Sequence, residues 1–229
     1  FDVSVFNKDN INVFSDGTTK NHFFSNSIFN YDTKKYSDAK IEVNIQSTSN
    51  DTYLKTYKLK SPLITNDSSL NSFINFELDS EEAYIMASLE SYEDLTKTKD
   101  QRYEFVYPNI EITKEIMLNN NYNGSLNFNA NGYQKEYNKN SKDLVLVNNL
   151  EYESYDYISK NGLKSKFNIL LKNINTNGDN STIYRDDSAN KILSSFLFES
   201  SLPLKKQGLK YDSILKPIVS ARYSPTETK

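Results

Sequence analysis

Apolar and polar side chains alternate residue by residue through much of the chain, and this alternation narrows the possible folds more than any other property. Successive side chains of a β-strand point to opposite faces, so a period of two is typical of strands with one apolar and one polar face. Helical spacing is nearly absent, and we predict an all-β protein. The clearest apolar rows are Ile41, Val43 and Ile45, then Leu126, Phe128 and Ala130, and then Phe167, Ile169 and Leu171.

The predicted strands are long. Strands in soluble proteins usually have about 5–6 residues, whereas strands of about 10–14 residues suit a tilted crossing of a bilayer. We therefore predict an antiparallel up-and-down meander of about 10–12 long strands, part of a large transmembrane β-barrel. Its strands fall near residues 20–32, 38–48, 52–60, 69–78, 82–93, 102–114, 122–134, 143–157, 163–173, 190–202 and 210–223, with a weaker one at 2–6.

The connections between these strands alternate in length. Short connections are expected at 79–81, 119–122 and 159–162, and longer polar ones at 96–101, 135–142 and 173–189. Outer-membrane barrels have short turns on the periplasmic side and longer loops outside. Tyrosines near the strand ends, among them Tyr103, Tyr133 and Tyr137, favour aromatic girdles at the two membrane interfaces.

The composition is too polar for a large water-soluble core. Apolar residues make up 37% of the chain, although aromatic residues reach 13%, and the aromatic content argues against disorder. A barrel with a water-filled lumen is compatible with both the low apolar content and the high aromatic content, because only its outward face must be apolar. From the alternation we predict that five polar residues face this lumen: Asn127, Asn129, Asn131, Glu151 and Glu153.

Catalysis, metal binding and nucleic-acid binding find no support in the sequence. The net charge is -3, and Lys and Arg form no basic stripe, so we expect no nucleic-acid partner. His22 is the only histidine and there is no cysteine, which leaves no His triad, no multi-His metal site and no thiol chemistry. No nucleotide-binding motif is present. We expect no cofactor and no enzyme activity.

Two prolines interrupt strand-like segments. Pro108 lies within Tyr103–Ile112, and Pro217 lies within Ile214–Tyr223. Proline has no N–H to donate, so it is confined to sheet edges, first strand positions and bulges. We predict that each proline sits at a bulge or beside the end of a neighbouring strand, and that the hydrogen-bond ladder is broken at both.

Three segments together resemble the LPS-assembly protein family LptD, also called the organic solvent tolerance protein family. They are Arg102–Ile112, Gly124–Tyr137 and Tyr211–Pro225, and the segment 50–56 is similar to an Asp-containing loop of the family. In this family, barrel strands recur with a proline followed by an alternating apolar run. The resemblance covers most of residues 50–229 and is weaker for 1–49.

The resemblance implies a function in the outer membrane of a Gram-negative bacterium. Family members insert lipopolysaccharide into the outer leaflet of the membrane and have no catalytic residues. They receive it from a periplasmic Lpt bridge through an N-terminal jelly roll, and an LptE-like lipoprotein plugs the barrel. Residues 1–229 would then be an interior part of the barrel domain, surrounded by outer-membrane lipid, without the jelly roll and the barrel-closing strands.

Two other functions are compatible with an all-β chain. A soluble β-sandwich could bind glycans through tyrosine and asparagine side chains, but it would need two sheets packed on a dry core. A β-rich glycoside hydrolase would need two carboxylates about 5–10 Å apart, and the sequence singles out no such pair.

Overall fold

The structure, a computed structural model, describes residues 2–6, 20–118, 123–137, 140–208 and 211–225. Strands dominate these ranges, with one short helix, α1 (Tyr53–Tyr57). The strands are β1 (Asp2–Phe6), β2 (Lys20–Asn30), β3 (Asp38–Thr48), β4 (Ser69–Asp79), β5 (Ala83–Asp94), β6 (Tyr103–Ile116), β7 (Gly124–Tyr137), β8 (Ser141–Ser154), β9 (Tyr157–Ile158), β10 (Lys164–Asp179), β11 (Ala189–Ser201), β12 (Leu204–Lys206), β13 (Ser213–Leu215) and β14 (Ile218–Tyr223).

The long strands form one sheet in sequence order. Its path is β1-β2-β3-β4-β5-β6-β7-β8-β10-β11-β14, with β9 paired to β10, while β12 and β13 form a separate two-stranded sheet. Neighbouring strands run antiparallel, as the registers of β2 with β3 and of β4 with β5 show. The predicted all-β, antiparallel up-and-down meander is therefore confirmed. Among the described helices, none is long and apolar enough to cross a membrane.

Two predicted strands are wrong. Residues 53–57 of the predicted strand 52–60 form α1 instead, and burial of Tyr53 and Leu54 in a hydrophobic cluster stabilises this helical turn. The predicted strand 210–223 is divided at Lys216 and Pro217, and its parts, β13 and β14, belong to different sheets. Pro217 cannot donate a hydrogen bond to either sheet, but its carbonyl accepts one from the backbone N–H of Leu202 at 3.1 Å.

The predicted alternation of connection lengths is also wrong in part. Only residues 138–140 separate β7 from β8, and β10 continues to Asp179, into the first part of the predicted loop 173–189. A cross-strand hydrogen bond supports the longer strand, because Asn173 Nδ2 donates to Asn190 Oδ1 in β11 at 3.3 Å. The connections at 80–82 and 95–102 keep the predicted short and long lengths.

Contacts divide the residues into two compact units. Strands β6, β7, β8 and β10 each have one part in each unit. Unit 1 contains Phe1–Glu111, Asn131–Val145 and Thr176–Ala189. Unit 2 contains Ile112–Ala130, Leu146–Asn175 and Asn190–Lys229. The prediction that residues 1–229 form part of a single barrel domain stays a prediction.

In unit 1, the strand registers separate an apolar face from a polar face. Val43 lies opposite Ile74, and Ile74 lies opposite Leu89, so these side chains share one face. The other face carries rows such as Lys40 opposite Glu77, an ion pair at 3.0 Å. Ile74 and Leu89 remain 50% and 52% exposed. The apolar face of unit 1 is thus uncovered by the described residues.

A small hydrophobic core lies at one end of unit 1. The capping segment, residues 49–68 between β3 and β4, contributes α1 to it. Gln46 fixes this segment by donating from Nε2 to the carbonyl of Leu63 at 2.7 Å. Gln46 lies opposite Phe24 in the register of β2 and β3, which places the capping segment on the polar face. The core consists of Phe24, Tyr53, Leu54, Leu70 and Leu95.

Candidate functional site

Unit 2 also carries a row of exposed apolar side chains. On β10, Phe167, Ile169 and Leu171 are 37%, 44% and 46% exposed. The Phe167 ring stacks on that of Phe196 in β11, with centroids 6.2 Å apart. Exposed apolar surface of this kind favours contact with another apolar phase rather than with water. We call this row, together with Phe196 and Phe198, the apolar face of unit 2.

The predicted lumen-facing residues lie among polar partners. In unit 2, Asn129 Nδ2 donates to Thr113 Oγ1 at 2.9 Å. Glu151 accepts a hydrogen bond from Asn168, and Glu153 pairs with Lys166 at 3.3 Å. Asn168 alternates with Ile169, so these contacts lie on the side of β10 opposite to the apolar face.

Asn127 and Asn131 continue the row of Asn129 at every second position of β7. Asn131 belongs to unit 1, and Asn127 belongs to unit 2. Alternation gives all three asparagines the same side of the strand. That this side faces a barrel lumen stays a prediction.

An amide row interrupts the apolar face of unit 2. Asn173 donates from Nδ2 to Asn190 Oδ1 at 3.3 Å, and Asn190 donates in turn to Asn175 Oδ1 at 2.5 Å. Asn148 joins from β8 by a bond to Asn173 at 3.4 Å. Sequence reasoning missed this row because it assigned 173–189 to a loop. The available signal was the continuation of the odd-numbered positions beyond Leu171.

The two prolines differ in their surroundings. β6 continues through Pro108 from Tyr103 to Ile116, and the Tyr107–Pro108 peptide is cis. Val106 and Asn109, on either side of Pro108, both line the same cavity. At Pro217 the strand conformation stops. The predicted ladder break beside Pro108 stays a prediction.

Unit 1 contains a polar cleft near the start of β6. One part has a volume of about 540 Å³, and a second part of about 430 Å³ shares Lys97, Gln101, Tyr103 and Tyr137 with it. The first part of the polar cleft is lined by residues that include Glu90, Tyr92, Glu93, Arg102, Glu104, Tyr133 and Lys135, and its second part by residues that include Ser141, Asp143 and Asn180.

Tyr103, Tyr133 and Tyr137 line this polar cleft. Tyr103 Oη donates to Glu93 Oε1 at 2.9 Å, and the hydroxyl groups of Tyr133 and Tyr184 lie 3.3 Å apart. Carboxylates and hydroxyl groups near these strand ends offer hydrogen bonds to the phenol groups. These three tyrosines therefore line the polar cleft, and their place in an aromatic girdle stays a prediction.

Arg102 ties the capping segment to the start of β6. Its side chain is buried, donates from Nη1 to Asp51 Oδ1 at 2.8 Å, and also forms an Nη2–Asp51 ion pair. Nη1 lies 3.4 Å from Glu93 Oε1, and Nη2 donates to the carbonyl of Lys97 at 3.2 Å. Bidentate Arg–carboxylate pairs fix geometry as well as charge. Sequence reasoning could not find this pair, because its members are 51 positions apart.

The hydrogen bond from Arg102 is the main cause that lowers the pKa of Asp51 below its usual value of 3.8. Because its folded-state pKa is lowered, ionised Asp51 stabilises the capping segment at pH values above its unfolded-state pKa. This stabilisation is lost as the pH falls through the lowered folded-state pKa of Asp51. Because Asp51 is about half exposed, solvent screening keeps the effect small.

Acidification from pH 6 to pH 3 is therefore expected to increase backbone hydrogen exchange in residues 49–68. Hydrogen exchange with mass spectrometry, corrected for the intrinsic effect of pH, measures this opening. Asp51→Asn is the matched control and should show faster exchange at pH 6 and a smaller change between the two pH values. An unchanged pH response in Asp51→Asn would show that other groups control the segment.

Comparison with known proteins adds no family assignment. No family model matches the chain, and no curated protein matches it.

Proposed function

We propose that the chain is part of an outer-membrane β-barrel that assembles lipopolysaccharide into the outer leaflet of a Gram-negative bacterium. The observation that carries this proposal is the pairing of an exposed apolar face with a polar face in long antiparallel strands. Ile74 and Leu89 represent the exposed face in unit 1, and Ile169 and Leu171 represent it in unit 2. In a bilayer, lipid would cover these side chains, and all backbone groups would pair within a closed barrel.

The lipopolysaccharide role is supported by the family resemblance of Arg102–Ile112, Gly124–Tyr137 and Tyr211–Pro225. Under this proposal, Asn127, Asn129, Asn131, Glu151 and Glu153 contribute to a wet lumen. An LptE-like lipoprotein would lie against that polar side. Lipopolysaccharide would arrive from the periplasmic Lpt bridge through a separate N-terminal domain. The chain would act in transport without a catalytic step.

The glycan-binding sandwich has less support. It requires two sheets packed face to face on a dry core. Within the described ranges, the long strands form one sheet, and the only other sheet is the pair β12 and β13. The hydrophobic core described above contains five residues at one end of unit 1. We therefore propose the translocon alone.

Membrane fractionation and depletion of the full-length protein in its host test the two parts of this proposal. The protein should sediment with the outer membrane, resist extraction by alkaline carbonate and require detergent for release. Depletion should lower the amount of lipopolysaccharide that a surface-restricted label reaches. A freely soluble protein would refute the membrane assignment. An outer-membrane protein whose depletion leaves surface lipopolysaccharide unchanged would refute the transport role.

A further inference from the structure

We propose that the polar cleft of unit 1 binds a primary organic ammonium group, with Asp143 as its acceptor. The cleft has more carboxylates than cations, and each cation already has a carboxylate partner. Lys97 pairs with Asp94 at 3.4 Å, and Lys135 pairs with Glu104 at 2.7 Å. Arg102 pairs with Glu93 and with Asp51, as described above. Within the described part of the chain, the two other lining carboxylates, Glu90 and Asp143, form no ion pair.

Of these two carboxylates, Asp143 has the greater need for a hydrogen-bond donor. Glu90 accepts hydrogen bonds from neutral donors, Ser88, Tyr92 and Asn109. Asp143 is only 3% exposed, and no described residue donates a hydrogen bond to its Oδ1. A buried carboxylate oxygen without a donor is unfavourable. A cationic donor that enters the cleft would remove this cost.

The lining of the cleft favours an ammonium group over a metal ion or an anion. Calcium takes six to eight oxygen ligands, and the described residues hold no group of three or more His, Cys, Asp or Glu side chains that could bind a metal. The excess of carboxylates repels anions. An alkylammonium carries three N–H donors, and the faces of tyrosine rings attract cations.

The tyrosines of the cleft already face one ammonium group. Lys135 Nζ lies 5.8 Å from the centroid of the Tyr133 ring, within the range of a cation–π interaction. Tyr103 and Tyr137 line both parts of the cleft. The part beside Asp143 has a volume of about 430 Å³, which is the size of a small-molecule site. This inference is independent of lipopolysaccharide transport.

Isothermal titration of the full chain in detergent with 1,4-diaminobutane tests the proposal. We expect saturable binding of the diamine, and binding of tetramethylammonium that is weaker by about tenfold or more, because that ion has no N–H to donate to Asp143. No saturable binding of the diamine, or equal affinity for both ions, would overturn the proposal. This comparison uses the unaltered protein and does not depend on how any variant folds.

Two carboxylate variants then locate the site. Asp143→Asn should weaken diamine binding by about tenfold or more, because the amide removes the charge that attracts the ammonium. Asp186→Asn removes the same charge from an exposed position in the connection between β10 and β11, and it should leave the affinity unchanged. Equal losses in the two variants would show that binding follows net charge alone and would contradict the assigned site.

Discussion

Replacing Ile169 by arginine is expected to destabilise the chain in a bilayer, whereas the same replacement at Asn168 should be tolerated. Ile169 lies on the apolar face of unit 2 and is 44% exposed. Asn168 is its neighbour on β10 and points to the opposite side, where it bonds to Glu151. An arginine on the lipid face of a barrel costs about 2–4 kcal/mol near the middle of the membrane. At position 168, the new cation would instead lie beside Glu151.

Urea unfolding of the full-length protein in lipid vesicles measures this difference. Ile169→Arg should lower the unfolding free energy by about 2–4 kcal/mol relative to Asn168→Arg. In a water-soluble sheet, Ile169→Arg would not show this loss of unfolding free energy, because a half-exposed surface position tolerates arginine with a change of about 0.5 kcal/mol or less. Equal stability of the two variants in vesicles would therefore argue against lipid contact at Ile169.

Leu54→Ala is the second change with a large expected effect. Leu54 is 1% exposed and packs with Phe24, Tyr53, Leu70 and Leu95. Truncation of a buried leucine leaves a cavity and costs about 2–5 kcal/mol. Because this cluster holds α1 against the end of unit 1, the loss should act first on the capping segment. We expect the segment to open while the strands of the long sheet remain paired.

Hydrogen exchange of the backbone N–H of Leu59 reports this opening, since that group donates to the carbonyl of Leu54 at 3.3 Å. Leu54→Ala should speed the exchange by a factor that corresponds to about 2 kcal/mol or more. Lys55→Ala is the control, because Lys55 is exposed on the same helix and alanine favours a helix. Similar exchange in both variants would show that the core cluster does not hold the segment.

The sequence predicts the long strands well because one property decides them. In β7 and β10, side chains on one face are apolar and those on the other are polar, so the period of two is visible without any tertiary information. The same reasoning correctly assigned β5, although its Glu and Ala content also suits a helix. Strand pairing in sequence order then follows from the short connections between antiparallel neighbours.

The sequence could not predict features that depend on distant contacts. α1 is only five residues long, too short for a helical period to stand out, and its buried residues are fixed by Phe24 and Leu70 from other strands. The polar cleft depends on residues from β5 to β8, which are far apart in the sequence. The partner of Arg102 lies on a different connection, and no local pattern points to it. The extension of β10 depends on amide hydrogen bonds to β11.

Under the proposed membrane role, the amide row would affect the lipid beside unit 2. On β10, the apolar face extends from Phe167 to Leu171 before Asn173 begins the row, and this distance is about 14 Å along a strand. Transmembrane barrels usually present an apolar band about 25 Å tall. The resulting hydrophobic mismatch would thin the bilayer beside β10. Acyl chains there would extend over a shorter distance along the membrane normal and would be less ordered than in the surrounding membrane.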